Sequence, residues 1–201
     1  MSNEKLLIAT SNAGKIIEIS QLLADDGHEL IFLSDLETNT AEPAETGSSF
    51  SENARLKARY YAFLSQLPTL ADDSGLSVLA LDGFPGINSA RWTAGSDSDR
   101  VSALLQLLEA EGLTEPLQRR AFFSCVVSLA MPAQEKTIDF EGVCWGTIGH
   151  VPLGKTGFGY DPIFIPDGKT MTMAQLGMSE KNIISARAIA FKHVSRWLQQ
   201  H

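Results

Sequence analysis

Residues 5–9 (Lys-Leu-Leu-Ile-Ala) form a short apolar run that predicts a buried strand. Capping residue types follow at once, and a helix is expected from about residue 14 to 23, with Ile16, Ile19, Leu22 and Leu23 on one face. A second strand is expected at residues 30–33. The polar stretch 34–48 predicts a long loop, a length usually tied to function when ordered. A long helix should span residues 49–66. The apolar run 67–71 then carries a strand into Asp72 and Asp73, and Ser74-Gly75 predicts a turn directly after them. Residues 97–110 place Val101, Leu104, Leu105 and Leu108 at helical spacing. Residues 121–131 and 137–151 read as two long antiparallel strands, and 163–165 as another. One final helix is expected at 181–199, with Ile184, Ala188, Phe191 and Leu198 on one stripe. Helices mixed with short and long strands predict an α/β domain built on a mixed sheet.

The chain's 201 residues fit one domain, residues 1–201, with room for a proper core. Hydrophobic content of 44% and charged content of 20% are those of an ordinary globular protein. A net charge of −8, from 16 basic and 24 acidic residues, argues against sequence-independent binding to nucleic acid. Any bound phosphate must therefore be met by a few local Lys and Arg. The chain opens without a basic, apolar leader and holds no apolar stretch of membrane-spanning length, so no membrane partner is expected. Cys125 and Cys144 lie in apolar runs without metal-type spacing, which reads as reduced core cysteines of a cytoplasmic protein.

Ala71-Asp72-Asp73-Ser74-Gly75-Leu76 carries the strongest chemical signal, two adjacent carboxylates at a strand end. Such groups hold a hard cation such as Mg²⁺ or activate a water. Asp-Ser-Gly is also the triplet of aspartic proteases, but those need two carboxylates sharing a proton, and the chain has no second triplet. Side chains alternate along a strand, so one aspartate should face the site and the other cap the turn. Thr10-Ser11-Asn12-Ala13-Gly14-Lys15 forms a strand-to-helix junction, where free N–H groups and a lysine suit a phosphate. An ordinary capped helix start explains the same residues. It is not a Walker A loop, because Ala9 and Ile16 stand where that motif needs Gly and Ser or Thr. Asn53 and Lys57 share a helix face, which by itself reads as a solvated helix side. Gly157-Phe158-Gly159-Tyr160-Asp161-Pro162 offers an exposed Phe or Tyr to stack on a planar base, or simply a tight turn with core aromatics. Ser179 reads as the N-cap of the last helix, ahead of Lys181 and Arg187.

The order of these pieces is more specific than any one of them. Thr10 to Lys15 with Glu18, Glu45-Thr46-Gly47, Phe50 to Ala58, Ala71 to Leu76, Gly83 to Arg91, Phe158 to Pro162 and Glu180 to Arg187 span nearly the whole chain. In that order the chain resembles the inosine/xanthosine triphosphate pyrophosphatase family, house-cleaning enzymes that remove deaminated purine nucleotides. The resemblance implies hydrolysis of ITP, dITP or XTP to the monophosphate and pyrophosphate with Mg²⁺. It also implies an elongated, Maf-related α/β fold with a bent mixed sheet flanked by helices, assembled as a homodimer. Carried over position by position, Asp73 matches the proton acceptor and a metal carboxylate, and Glu45 a second metal carboxylate. Thr10, Ser11, Asn12, Ala13, Gly14 and Lys15 match the phosphate segment, Lys57 stands as a further cation along the triphosphate, and Ser74 matches a substrate contact. Phe158, Gly159, Tyr160, Asp161, Lys181 and Arg187 match the nucleobase pocket. One pocket position departs from the family's Ser-His-Arg: this chain reads Ser185-Ala186-Arg187. Two rival readings are a Maf-type enzyme acting on modified pyrimidine nucleotides and a non-catalytic nucleotide-binding protein.

Overall fold

A computed structural model of the chain describes residues 4–36, 42–132, 134 and 136–201. Among these residues six strands form one sheet: β1 (Lys5–Ile8), β2 (Glu29–Phe32), β3 (Thr69–Val78), β4 (Arg120–Ala130), β5 (Thr137–Ile148) and β6 (Phe164–Pro166). Their order in the sheet is β2-β1-β3-β4-β5-β6. Five α-helices accompany them: α1 (Ala13–Leu22), α2 (Phe50–Ser65), α3 (Asp97–Ala110), α4 (Met178–Ile184) and α5 (Ala186–Leu198). The sheet is mixed, because β1 runs parallel to both β2 and β3 whereas β5 and β6 are antiparallel. This is the α/β class with a mixed sheet that the alternation of runs predicts. A parallel strand covered on both faces must be apolar throughout, and Leu6, Leu7 and Ile8 of β1 are all fully buried.

The chain packs as two compact units. The first comprises Met1–Asp73, Cys125–Gly142 and Arg187–His201; the second comprises Ser74–Ser124 and Val143–Ala186. In the first, α2 turns a stripe of small residues, Ala54, Ala58 and Ala62, inward with Tyr61. Ala58, Tyr61 and Ala62 pack with Leu7, Ala9, Ala71 and Ala130, all from strands or their ends. Ser49 caps α2 by accepting from the Glu52 amide, and Gln66 ends it in the left-handed region at φ 57°. In the second unit, Ser96 and Asp99 form a capping box for α3, which buries Val101, Leu104 and Leu108 at the expected spacing. The buried Arg119 donates to the carbonyls of Leu113, Ile148 and Gly149, tying three backbone segments together.

Asp139 of β5 fastens α2 to the sheet. It accepts from Arg55 Nε at 2.8 Å, Ser51 Oγ at 2.7 Å and Ser128 Oγ at 2.8 Å. Burial alone would raise its carboxyl, but the hydrogen bonds from Arg55, Ser51 and Ser128 outweigh that and hold it below the usual carboxylate range. A carboxyl lowered in the folded state stabilises fully above its unfolded pKa and loses that contribution as pH falls through the folded value. Acid unfolding followed by circular dichroism should therefore include a loss of stability below about pH 4 that Asp139→Asn does not share. Identical acid limbs in the two chains would remove Asp139 from this role.

Three sequence expectations are corrected. Ser74-Gly75 does not turn the chain: β3 runs on to Val78, because Leu76 and Val78 are fully buried and hold the strand. Burial here outweighs local turn preference. The last helix is two helices, since Ser185 adopts an extended conformation (φ −66°, ψ 152°) between α4 and α5. The buried apolar stripe belongs to α5 (Ala188, Phe191 and Val194), whereas α4 buries Lys181, so the apolar spacing carries no mark of the break. Finally, Gly177 rather than Ser179 precedes α4, and Ser179 lies within its first turn. Of the long loop expected at 34–48, residues 37–41 lie outside the described set, a short 3₁₀ turn occupies Leu33–Asp35, and residues 42–47 have no regular structure.

Candidate active site

Asp72 and Asp73 leave β3 on opposite sides, as successive strand residues must. Asp72 is buried, and its Oδ2 meets Lys15 Nζ at 3.0 Å and Arg187 Nη2 at 3.0 Å. Arg187 Nη1 reaches Glu18 Oε2 at 2.5 Å, which makes a chain Lys15–Asp72–Arg187–Glu18 that is half-buried at Lys15 and buried at the other three. Burial would raise the Asp72 carboxyl, but Lys15, Arg187 and Lys57 keep it strongly lowered, so it stays ionised. Its expected part as a turn cap is replaced by these ion pairs. Cys125 Sγ lies 3.8 Å from Asp72 Oδ2. Burial pushes its thiol up to about 12, and that of the equally disulfide-free Cys144 up to about 11.

Asp73 takes part in a second set of contacts. Its Oδ2 accepts from Asn53 Nδ2 at 3.0 Å, and its Oδ1 lies 3.6 Å from Lys57 Nζ. Lys57 Nζ also donates to Glu45 Oε1 at 2.8 Å and to the Asp72 carbonyl at 2.9 Å. Lys15 Nζ approaches that same carbonyl at 3.5 Å, so two ammonium groups converge on one oxygen. Burial raises the Asp73 carboxyl above its ordinary value and Glu45 adds to this, against Lys57 and Asn53. For Lys57 the balance is reversed. Burial lowers it, yet Asp73, Asp72 and Glu45 hold it above the usual lysine range. The preceding junction is ordered by its own side chains. Asn12 Oδ1 caps α1 at the Lys15 amide, Thr10 Oγ1 accepts from the Asn12 amide, and Ser11 Oγ donates to Glu42.

Could these groups hold a divalent cation? Among the described residues no cluster of three or more His, Cys, Asp or Glu is placed to do so. Mg²⁺ asks for less, since it keeps several waters and takes one or two carboxylates plus substrate phosphate. Glu45 and Asp73 are carboxylates that share one ammonium, and Glu45 contributes to the upward shift of Asp73 that a nearby cation would relieve. The donor set fits.

The second unit gathers the aromatic loop. Lys181 and Asp161 form a buried ion pair, and Lys181 Nζ lies 4.8 Å from the centre of the Phe158 ring. Asp161 Oδ2 also accepts from the Phe158 amide at 2.9 Å. Gly157, at φ +79°, passes so close that a Cβ there would sit 2.0 Å from Asp161 Oδ2. Tyr160 is not exposed for stacking: its hydroxyl accepts from Trp92 Nε1 at 2.6 Å and donates to the Ser89 carbonyl at 2.8 Å. The Gly159 amide donates to Asp97 at 2.6 Å. Ser74 is half-buried in β3 and Ala186 is buried at the start of α5. Lys181 and Arg187, read as neighbours at one helix start, have separate ion-pair partners, Asp161 for the former and Glu18 with Asp72 for the latter. The helix face of Asn53 and Lys57 is not the solvated side expected of it, because Asn53 is buried. Sequence reasoning assigned no role to Asn53 or Glu18. Glu18 did leave a signal, a charge set within the apolar face of α1.

Half-buried Lys15 and Lys57 beside Asp72, Asp73 and Glu45, on an α/β sheet, are the charge arrangement of a phosphate-handling enzyme. The chain belongs to the Ham1 family, whose model matches residues 6–197. It is 44% identical over 192 residues to a dITP/XTP pyrophosphatase of Streptomyces avermitilis, covering 94% of each chain. It is 46% identical over 194 residues to a dITP/XTP pyrophosphatase of Rhodospirillum centenum, covering 96% of this chain and 94% of that one. A solved HAM1 protein from Coxiella burnetii matches with a TM-score of 0.88 and 37% identity, over 98% of this chain and 100% of that one. The Staphylococcus aureus Ham1 protein matches at 0.84 and 39%, over 98% and 99%.

Proposed function

We propose that this chain, acting as one domain over residues 1–201, hydrolyses the deaminated purine nucleotides dITP, ITP and XTP to the monophosphate and pyrophosphate, keeping them out of DNA and RNA. The observation that carries this reading is the Lys57 ammonium held between Glu45 and Asp73, with Lys15 converging on the same backbone oxygen. Close relatives bearing the name dITP/XTP pyrophosphatase support it.

Lys15 and Lys57, with Thr10, Ser11, Asn12, Ala13 and Gly14 at the start of α1, take the triphosphate charge. Positioning and charge stabilisation of this kind supply most of phosphoryl-transfer catalysis. Asp73 accepts the proton of the attacking water, and burial makes it a better base than an exposed aspartate. The water oxygen bonds to the α-phosphorus, the α–β anhydride bond breaks, and pyrophosphate leaves with the bridging electrons. Glu45 and Asp73 would hold Mg²⁺, which when bound neutralises phosphate charge and acidifies water.

Phe158, Gly159, Tyr160, Asp161, Lys181, Ala186 and Arg187, with Ser74, complete the proposed substrate set. A 6-keto purine presents an acceptor that N–H donors such as those of Lys181 and Arg187 can meet. The adenine 6-amino group offers no such acceptor, and a buried donor left unmatched costs about 1–3 kcal/mol. We further propose a homodimer working in the cytoplasm, its mass readable by light scattering.

Pyrophosphate release over dITP, XTP, GTP, ATP and UTP with Mg²⁺ tests this reading. dITP and XTP should turn over and ATP and UTP should be spared. Preference for UTP would favour a Maf-type enzyme, and silence on the whole panel would leave a binding protein. In the same assay Ala186→His should sharpen discrimination for ITP over ATP. Unchanged ratios of kcat/KM would show that the site needs no imidazole there.

A further inference from the structure

We infer that Asn53 is a positioning residue, whose one carboxamide couples the backbone of the Glu45 loop to the Asp73 carboxylate. Asn53 is completely buried on α2. Its Oδ1 accepts from the Gly47 amide at 2.8 Å, and its Nδ2 donates to Asp73 Oδ2 at 3.0 Å. Flipping the amide would set donor against donor and acceptor against acceptor, so both partners fix its orientation. With Oδ2 engaged, Asp73 turns Oδ1 toward Lys57, which returns to Glu45. The contacts therefore close a ring: Glu45 to Gly47 along the chain, then Asn53, Asp73, Lys57 and Glu45 again. Fully satisfied hydrogen-bond networks of this kind rigidify what they join and are worth more than their separate pairs.

Gly47 shows how close the coupling is. A Cβ at that position would lie 2.6 Å from Asn53 Oδ1, 2.7 Å from Glu52 Cβ and 3.0 Å from the Asn53 amide nitrogen. The loop reaches the carboxamide because it carries no side chain there. The next residue is pinned separately, the Ser48 amide and hydroxyl both donating to Glu52 Oε2 at 2.7 and 2.9 Å. A displacement of the Glu45 loop thus passes through Asn53 to the carboxylate that accepts the proton.

The inference rests on the assignment of Asp73 as the base, and two variants approach the ring from opposite sides. Asn53→Asp keeps an acceptor for the Gly47 amide but removes the donor to Asp73. Gly47→Ala leaves Asn53 and Asp73 in place but pushes the loop away. Both should lower kcat for dITP by about 10- to 100-fold, the cost of a misplacement near 1 Å. KM should stay within about threefold of the native value, because the loss falls on the reacting geometry. Amide exchange at position 47 should remain slow in Asn53→Asp and become fast in Gly47→Ala, with both chains folded by circular dichroism. A kcat within about twofold of native in both folded variants, or a rise in KM alone, overturns the inference. The functional reading fails separately, on the native chain, if that releases no pyrophosphate from dITP.

Discussion

Asp73→Asn should lower pyrophosphate release from dITP by about 10²- to 10⁴-fold, the range a positioned general base contributes. The replacement has the same shape, and its side-chain oxygen can still accept from Asn53 Nδ2. What it loses is the ability to take a proton, together with the oxygen that faces Lys57 Nζ at 3.6 Å. The fold should survive, and the sign of the Asp73 shift says why. A carboxyl raised in the folded state, here mainly by burial, is less comfortable as an anion in the native chain than in the unfolded one. At neutral pH its charge is therefore a burden on stability, and a neutral amide relieves it. Melting followed by circular dichroism should show a Tm equal to or above that of the native chain, while kcat/KM collapses. Near-normal turnover would move the proton acceptor elsewhere. A lower Tm would show that the Lys57 contact stabilises the fold more than burial of the charge opposes it.

Arg187→Met should act the other way, through stability. The Arg187 guanidinium is buried between Glu18 and Asp72, and burial, which disfavours its charge, is outweighed by Asp72 and Glu18. A methionine fills similar space and leaves the two carboxylates without their shared cation. Asp72 keeps Lys15 at 3.0 Å, but Glu18 is a buried carboxylate in the apolar face of α1. Breaking a buried pair by removing one partner costs about 3–5 kcal/mol. For a chain of this size that corresponds to a fall in Tm of roughly 6–20 °C. An unchanged melt would mean that the ion pairs are replaceable by apolar packing, as some buried pairs are. If Arg187 also meets the base, the ratio of kcat/KM for dITP over dATP will drop in addition. That second readout separates the two parts.

Much of this was legible in the residues. Leu6, Leu7 and Ile8 announce a strand covered on both faces, and the spacing of Val101, Leu104 and Leu108 announces a helix side. Those signals are local, and burial reinforces them. The extension of β3 past Gly75 and the break at Ser185 were not legible, because each is decided by what packs against a short segment. The same limit applies to the site. Asp73, Lys57 and Glu45 stood out as charges in motifs and do converge. Asn53 lay in a quoted motif without a task, since the use of a carboxamide depends on which groups reach its two ends. Arg187 and Lys181 looked like one charged helix start, and only their partners distinguish them.

The two buried thiols have a practical consequence. The chain holds only Cys125 and Cys144, and burial keeps both almost wholly protonated at neutral pH. Alkylating reagents and disulfide exchange act on the thiolate, so the native chain should tolerate maleimide or the absence of reductant with little change. A single cysteine introduced on the surface would then be the one group to take a fluorophore or spin label. Distances and motions could be followed in an otherwise unaltered enzyme, with Cys125 silent 3.8 Å from the Asp72 carboxylate.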